Sequence, residues 1–189
     1  MTHHLSTKGT FMSLNEYAGT YTIDPAHSSI GFVARHAMIT KVRGAFNDFT
    51  GEATLAPVVS DSSVSVTIQV GSVDTRQEQR DGHLVSGDFF DVEHFPTITF
   101  VSTAVAETAE GIDITGDLTI KDVTQPITVP FSFEGAAVDP FGNHRVGFEG
   151  SVVVNRKDYG LSWNAALETG GVLVSEKVTL TFEISAIKS

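Results

Sequence analysis

From Thr20 onward the chain alternates apolar and polar residues with a period of two, the spacing of strands buried on one face. In "SSVSVTIQV" Val64, Val66, Ile68 and Val70 fall on one side and Ser65, Thr67 and Gln69 on the other. Ile112, Ile114, Leu118 and Ile120 likewise oppose Asp113, Thr115, Asp117 and Thr119. The same phase runs through Ile30, Phe32 and Ala34, through Phe49, Ala53 and Leu55, and through Ile98, Phe100 and Ala104. It continues in Ile127, Val129, Phe131 and Phe133, then Val146, Phe148, Val152 and Val154, then Val178, Leu180, Phe182 and Ile184. These runs make about eight strands separated by turn signals such as Glu110-Gly111 and "DPFGNHR", which predicts an all-β, hairpin-linked antiparallel fold.

The alternation lapses twice. In "TRQEQRDGHLVSGDFFDV" Thr75 to Gln79 reads as a capped helix start, so a short helical insert is expected within residues 76–93. "NRKDYGLSWNAALETGG" is punctuated by glycine and reads as a loop. Strands with one apolar stripe either stack as a sandwich or curl until their edges meet, and closure removes the exposed edges. A barrel of about eight strands is at the size where side chains fill the interior or leave room for one ligand, and patterning alone leaves both open.

The 189 residues suit one domain with its own core. Residues 1–16 are polar, precede the first strand, and are expected to be a flexible tail, with the barrel domain over 17–189. With 12 Lys+Arg against 23 Asp+Glu, the net charge of −11 repels phosphate backbones and anionic lipid surfaces, and no basic run offsets it. Nucleic acid is therefore not an expected partner. The absence of Cys excludes disulfides, thiolate metal sites and a Cys nucleophile. No apolar run matches the roughly 7 to 15 residues of a secretory signal or the ~20 needed to span a membrane, so a soluble, cytoplasmic chain is expected.

"YTIDPAHSSIGFVARH", "GAFNDFTGEATL", "VDTRQEQRDGHLVSGDFFDVEHFPTITFVST", "GDLTIKDVTQPITVPF" and "NRKDYG" follow one another from about Tyr21 to Ile184. In that order they resemble the signature blocks of the YceI-like, polyisoprenoid-binding family. The third block, with its Arg-Asp-x-His-Leu core, is the most specific. The resemblance implies a lipocalin-like antiparallel barrel holding a long isoprenoid or other amphiphilic lipid in its lumen.

Phe32, Phe49, Phe100, Leu118, Ile120, Phe131, Phe133, Phe148 and Phe182 then become the expected lumen lining. Trp163, the single Trp, lies in the glycine-punctuated loop and either caps the opening or packs beneath the loop. The strand faces assigned inward hold no Asp, Glu, Lys or Arg, so they offer no group for acid–base chemistry. Arg80, Asp81 and His83 contain half of a nucleophilic triad, but no G-x-S-x-G elbow accompanies them and Ser86 sits in a plain Val-Ser-Gly setting. They read as a polar fastener tying the helical insert to the barrel rim. His27, His36, His83 and His94 show no metal-binding spacing, so no metal site is expected.

The expected function is binding, without catalysis, of an isoprenoid-type lipid, such as an isoprenoid quinone, for storage, transport or sequestration. The rivals are an enzyme acting on such a lipid through His83 or His27, and a ligand-free barrel acting by surface contacts.

Overall fold

The computed structural model describes residues 13–189. Eleven strand segments run in chain order: β1 (Gly19–Ile23), β2 (Ser29–His36), β3 (Thr40–Phe46), β4 (Phe49–Leu55), β5 (Ser63–Gln69), β6 (Val73–Asp74), β7 (Thr97–Glu107), β8 (Gly111–Ile120), β9 (Val123–Val138), β10 (His144–Asn155) and β11 (Lys177–Lys188). One helix, α1 (Glu78–Val85), separates β6 from β7, inside the span where alternation lapses. All pairings are antiparallel. The order β1-β4-β5-β7-β8-β9-β10-β11 closes on itself where β1 pairs with β11, Tyr21 opposite Lys188.

The remaining segments are continuations. β11 pairs with β1 near its end and with β2 nearer its start, β2 pairs with β3, and β3 pairs with β6. So β1 and β2 form one strand interrupted at residues 24–28, β3 and β4 one interrupted at 47–48, and β5 and β6 one interrupted at Val70–Ser72. Counted this way, the chain is an eight-stranded antiparallel barrel. The interruptions have local causes. Pro25 has no N–H for the ladder, and the Asp24 carboxylate accepts instead from the Ala26 N–H at 3.0 Å. Ser72 Oγ accepts from the Asp48 N–H at 3.0 Å, so the displaced backbone of two adjacent strands stays hydrogen-bonded.

A β-bulge corrects one expected position. On β7 Ser102 faces Gly116 but Ala104 faces Thr115, so one residue is inserted and the phase flips. Ala104, expected inside, is exposed, and Val105 takes the interior place.

The two ends of the barrel are covered differently. Where β7 ends and β8 begins, a short 3-10 turn at Leu14–Tyr17 puts Leu14 against Val59, Val105 and Ile112. Leu14 is 2% exposed. The tail expected over residues 1–16 is therefore too long by its last few residues, because an apolar side chain there finds an open barrel end to fill; residues 1–12 lie outside the described part. Where β7 begins and β8 ends, Leu84 and Val85 of α1 pack with Phe89, Tyr159, Leu161, Ile98 and Ile120.

Candidate functional site

Between the two covered ends lies a cavity of about 270 Å³. Its wall is almost wholly hydrocarbon: Phe32, Phe100, Leu118, Ile120, Phe131, Phe148 and Phe182 from the expected lining, joined by Tyr21, Ile23, Ile30, Val105, Ile184 and others of the same inward faces. Among the lining residues Arg156 is the only one with a charged side chain.

Three expected lining residues do not border the cavity. Phe49 is inward but only 3% exposed beside the strand interruption, where its register partner Ile68 and the surrounding core enclose it. Phe133 is held 5.3 Å from the Tyr17 ring, because the turn that carries Leu14 fills the barrel end over it. Trp163 packs against the helical insert, with ring centroids 4.7 Å from His83 and 5.4 Å from Phe89.

Glycines help to keep the cavity open. Phe32 pairs in register with Gly44, and Phe131 with Gly150. A Cβ built at Gly150 would stand 2.7 Å from Phe131 Cδ1, and one at Gly116 would stand 2.5 Å from Phe100 Cζ. Each ring therefore lies down on a neighbouring strand where no side chain competes, which leaves space along the barrel axis.

Arg156 is the charged lining residue, and period-two reading misses it. It begins a 3-10 turn, Arg156–Tyr159, capped by the Asn155 side chain and ended by Gly160 at φ 77°. The Asn…Gly bracket in "NRKDYG" marks such a turn, but nothing local tells that it aims the guanidinium inward. Arg156 is 7% exposed. Its Nε donates to the Ser175 carbonyl at 2.9 Å, Nη1 to Leu161 at 2.5 Å and Nη2 to Val174 at 3.3 Å. Three backbone carbonyls of the loop at residues 161–175 thus converge on one cation, with no carboxylate in ion-pair contact among the described residues. Burial pulls its pKa below the ordinary guanidinium value, and Glu176 acts weakly in the other direction. Burial likewise raises the phenol pKa values of Tyr21 and Tyr159, two further lining residues.

The polar trio lies outside the cavity. Asp81 Oδ1 accepts from the Thr75 N–H at 2.9 Å and from its hydroxyl at 2.5 Å. Arg80 donates from Nε to Thr75 Oγ1 at 2.7 Å and from Nη2 to the Thr75 carbonyl at 2.8 Å. Both side chains grip the residue that follows β6, which ties the helix to the barrel rim. His83 takes no part in that grip; its Nε2 is 2.8 Å from Asp88 Oδ2. His27 is paired with Asp24 at 2.8 Å and His94 with Asp91 at 2.9 Å, both exposed, and Asp91 raises the His94 pKa. None of these imidazoles borders the cavity. Among the described residues no cluster of three or more His, Asp or Glu could hold a metal ion.

Residues 21–186 match the YceI-like domain. A UPF0312 protein of Staphylococcus aureus is 39% identical over 170 residues, 88% of this chain and 95% of the relative. BcnA of Burkholderia cenocepacia has the same fold with a TM-score of 0.75 at 26% identity, over 86% of this chain and 98% of BcnA. The YceI protein of Campylobacter jejuni gives 0.70 at 27% identity, over 82% and 90%. A polyisoprenoid binding domain from Saccharophagus degradans, implicated in plant cell wall breakdown, shares the fold at a TM-score of 0.69 with 16% identity, over 89% and 98%. A domain match across nearly the whole barrel, joined to a relative aligned over most of both chains, makes this chain a member of the YceI-like domain family.

Proposed function

We propose that the barrel binds one long-tailed lipid of isoprenoid type, an isoprenoid quinone being the form that suits it best, and holds it for storage, transport or sequestration. The observation that carries this reading is the apolar cavity with a single cation in its wall. Burial of each tail CH₂ contributes ~0.8 kcal/mol, so a few isoprene units outweigh any one polar contact. The oxygen of a carbonyl head brought to the Arg156 end meets a guanidinium that has no acidic partner. The polyisoprenoid binding domain of Saccharophagus degradans, built on the same barrel, supports the ligand class. His83 and His27 lie off the cavity wall, which speaks against chemistry on a lipid held there.

Organic extraction of the purified protein followed by mass spectrometry tests the proposal. One prenyl lipid per chain, recovered unchanged after incubation with added lipid, is the expected result. A converted lipid would move the protein to the enzyme class, and failure to take up any prenyl lipid would leave only surface contacts.

A further inference from the structure

The hairpin of β2 and β3 is unlike the rest of this acidic chain. No Asp or Glu occurs between Asp24 and Asp48, while Arg35, Lys41 and Arg43 do, and all three are exposed. Arg35 stands directly opposite Lys41 in the ladder. Like charges facing each other across an antiparallel pair are destabilising, and among the described residues no carboxylate is in ion-pair contact with any of the three. The three cations alternate along the strands and straddle a turn, so they form no basic run in the sequence and come together only when the hairpin forms.

The turn itself is Ala37-Met38-Ile39. Ala37 and Met38 both have left-handed backbones, φ 51° and 61°, where Asn or Gly is the usual choice. Met38 is 56% and Ile39 77% exposed. An unfavourable turn thus carries apolar side chains into water, ahead of Arg35 and Lys41, with Arg43 further back in a depression that Glu149 and Glu183 also line. Apolar tip first and basic flank behind is the arrangement that enters a lipid–water interface, the tip among acyl chains and the cations at anionic headgroups. The overall negative charge of the chain does not forbid this contact, because at physiological ionic strength charges more than ~8 Å from the hairpin tip are largely screened.

The hairpin is also joined to the loop that Arg156 holds. The Ala37 N–H donates to the Leu173 carbonyl at 2.7 Å, and the Ser175 N–H to the Arg35 carbonyl at 3.0 Å. Arg156 bonds the Val174 and Ser175 carbonyls of the same stretch. We infer that the β2–β3 hairpin is a docking element for anionic lipid membranes, which sets the Arg156 end of the cavity against the bilayer surface. The inference rests on the carrier reading for its purpose, but docking is measured independently of lipid uptake.

The test is flotation of the purified full chain with phosphatidylcholine vesicles, with and without about one-third phosphatidylglycerol. Binding to the anionic vesicles alone, weakened by salt, is expected. Met38→Ser with Ile39→Ser, and separately Arg35→Gln with Lys41→Gln, are each expected to lower it roughly tenfold or more, with unchanged melting temperature and unchanged uptake of a short prenyl alcohol. Equal binding to neutral vesicles, no binding, or binding that both variants retain would overturn the inference. Binding that requires a membrane protein in the vesicles would overturn it too and assign the hairpin to a protein partner. Loss of prenyl uptake with flotation intact would count against the carrier reading and leave docking standing.

Discussion

Phe131 on β9 lies against the bare backbone of Gly150, its register partner on β10. A methyl group at position 150 would meet both the ring and the Pro130 carbonyl at 2.7 Å, and the free side of the ring is the cavity. Gly150→Ala is therefore expected to push Phe131 inward, destabilise the fold by about 1–3 kcal/mol and shorten the longest prenyl chain taken up. Thermal unfolding and extraction of a mixed-length prenyl pool report the two effects. A variant unchanged in both would mean that the pairing does not govern cavity space.

Tail length should set affinity. Removing one isoprene unit gives up about five buried carbons at ~0.8 kcal/mol each, more than the ~1.5–3 kcal/mol of a hydrogen bond to a charged group. In a prenyl series with a common head, affinity should rise with each unit and level off once the lumen is full. Isothermal titration across the series checks this; affinity independent of length would defeat the mechanism.

Arg156→Met keeps much of the side-chain length but leaves the carbonyls of Leu161 and Ser175 without their donor, while Val174 keeps only the Asn164 amide. Each buried acceptor left unpaired costs about 1–3 kcal/mol, so the loop at residues 161–175 should lose hydrogen-exchange protection before the barrel does. Arg156→Lys keeps the charge without the fork and should restore only part of the protection.

Acid should weaken the fold through Arg145, which lies 2.7 Å from Asp24 and 2.8 Å from Asp139, each carboxylate side chain 13% exposed. Its hydrogen bonds are the main reason that both carboxyls sit below the ordinary carboxylate range. A carboxyl with a lower pKa folded than unfolded contributes stability that is complete above the unfolded value of about 4 and disappears as the pH falls toward the folded one. Urea midpoints measured from about pH 7 down to about pH 2 should therefore drop on the acid side of pH 4, and Arg145→Ala should flatten that drop. Equal slopes for the two proteins would assign acid sensitivity elsewhere.

Asp81→Ala removes the acceptor for both the N–H and the hydroxyl of Thr75, which is 4% exposed. A loss of about 1–3 kcal/mol is expected in thermal unfolding, with prenyl uptake retained by the folded protein. Retained stability with abolished uptake would instead place Asp81 in the binding machinery.

The barrel wall is legible in the sequence because burial on one face imposes period two, and most residues so assigned do point inward. The exceptions are places where a distant partner or an inserted residue decides. Ala104 turns outward because a bulge precedes it, and a bulge has no signature in the apolar pattern. Phe133 and Phe49 keep the inward phase but are covered by neighbours that the pattern cannot supply, the Leu14 turn for one and a strand interruption for the other. β3 shows no inward apolar run because Gly44 occupies an inward place with no side chain, which is what lets Phe32 lie flat. Arg156 escapes the pattern for the opposite reason. A charged residue is assigned to the surface by default, and its burial depends on carbonyls contributed by residues up to Ser175. The Arg80 and Asp81 fastener is readable because its partner, Thr75, is only a few residues away, whereas His83, expected with them, pairs with Asp88 instead.

The last strand of the chain, β11, supplies partners to β10, β1 and β2 together. Until it is synthesised, the preceding strands can form only an open, curved sheet with two unpaired edges, and closure must join Tyr21 to Lys188 across nearly the whole chain. Closure of the cylinder thus waits for its last strand and carries a high loop-closure cost, and until then the open sheet depends on remaining apart from other copies of itself.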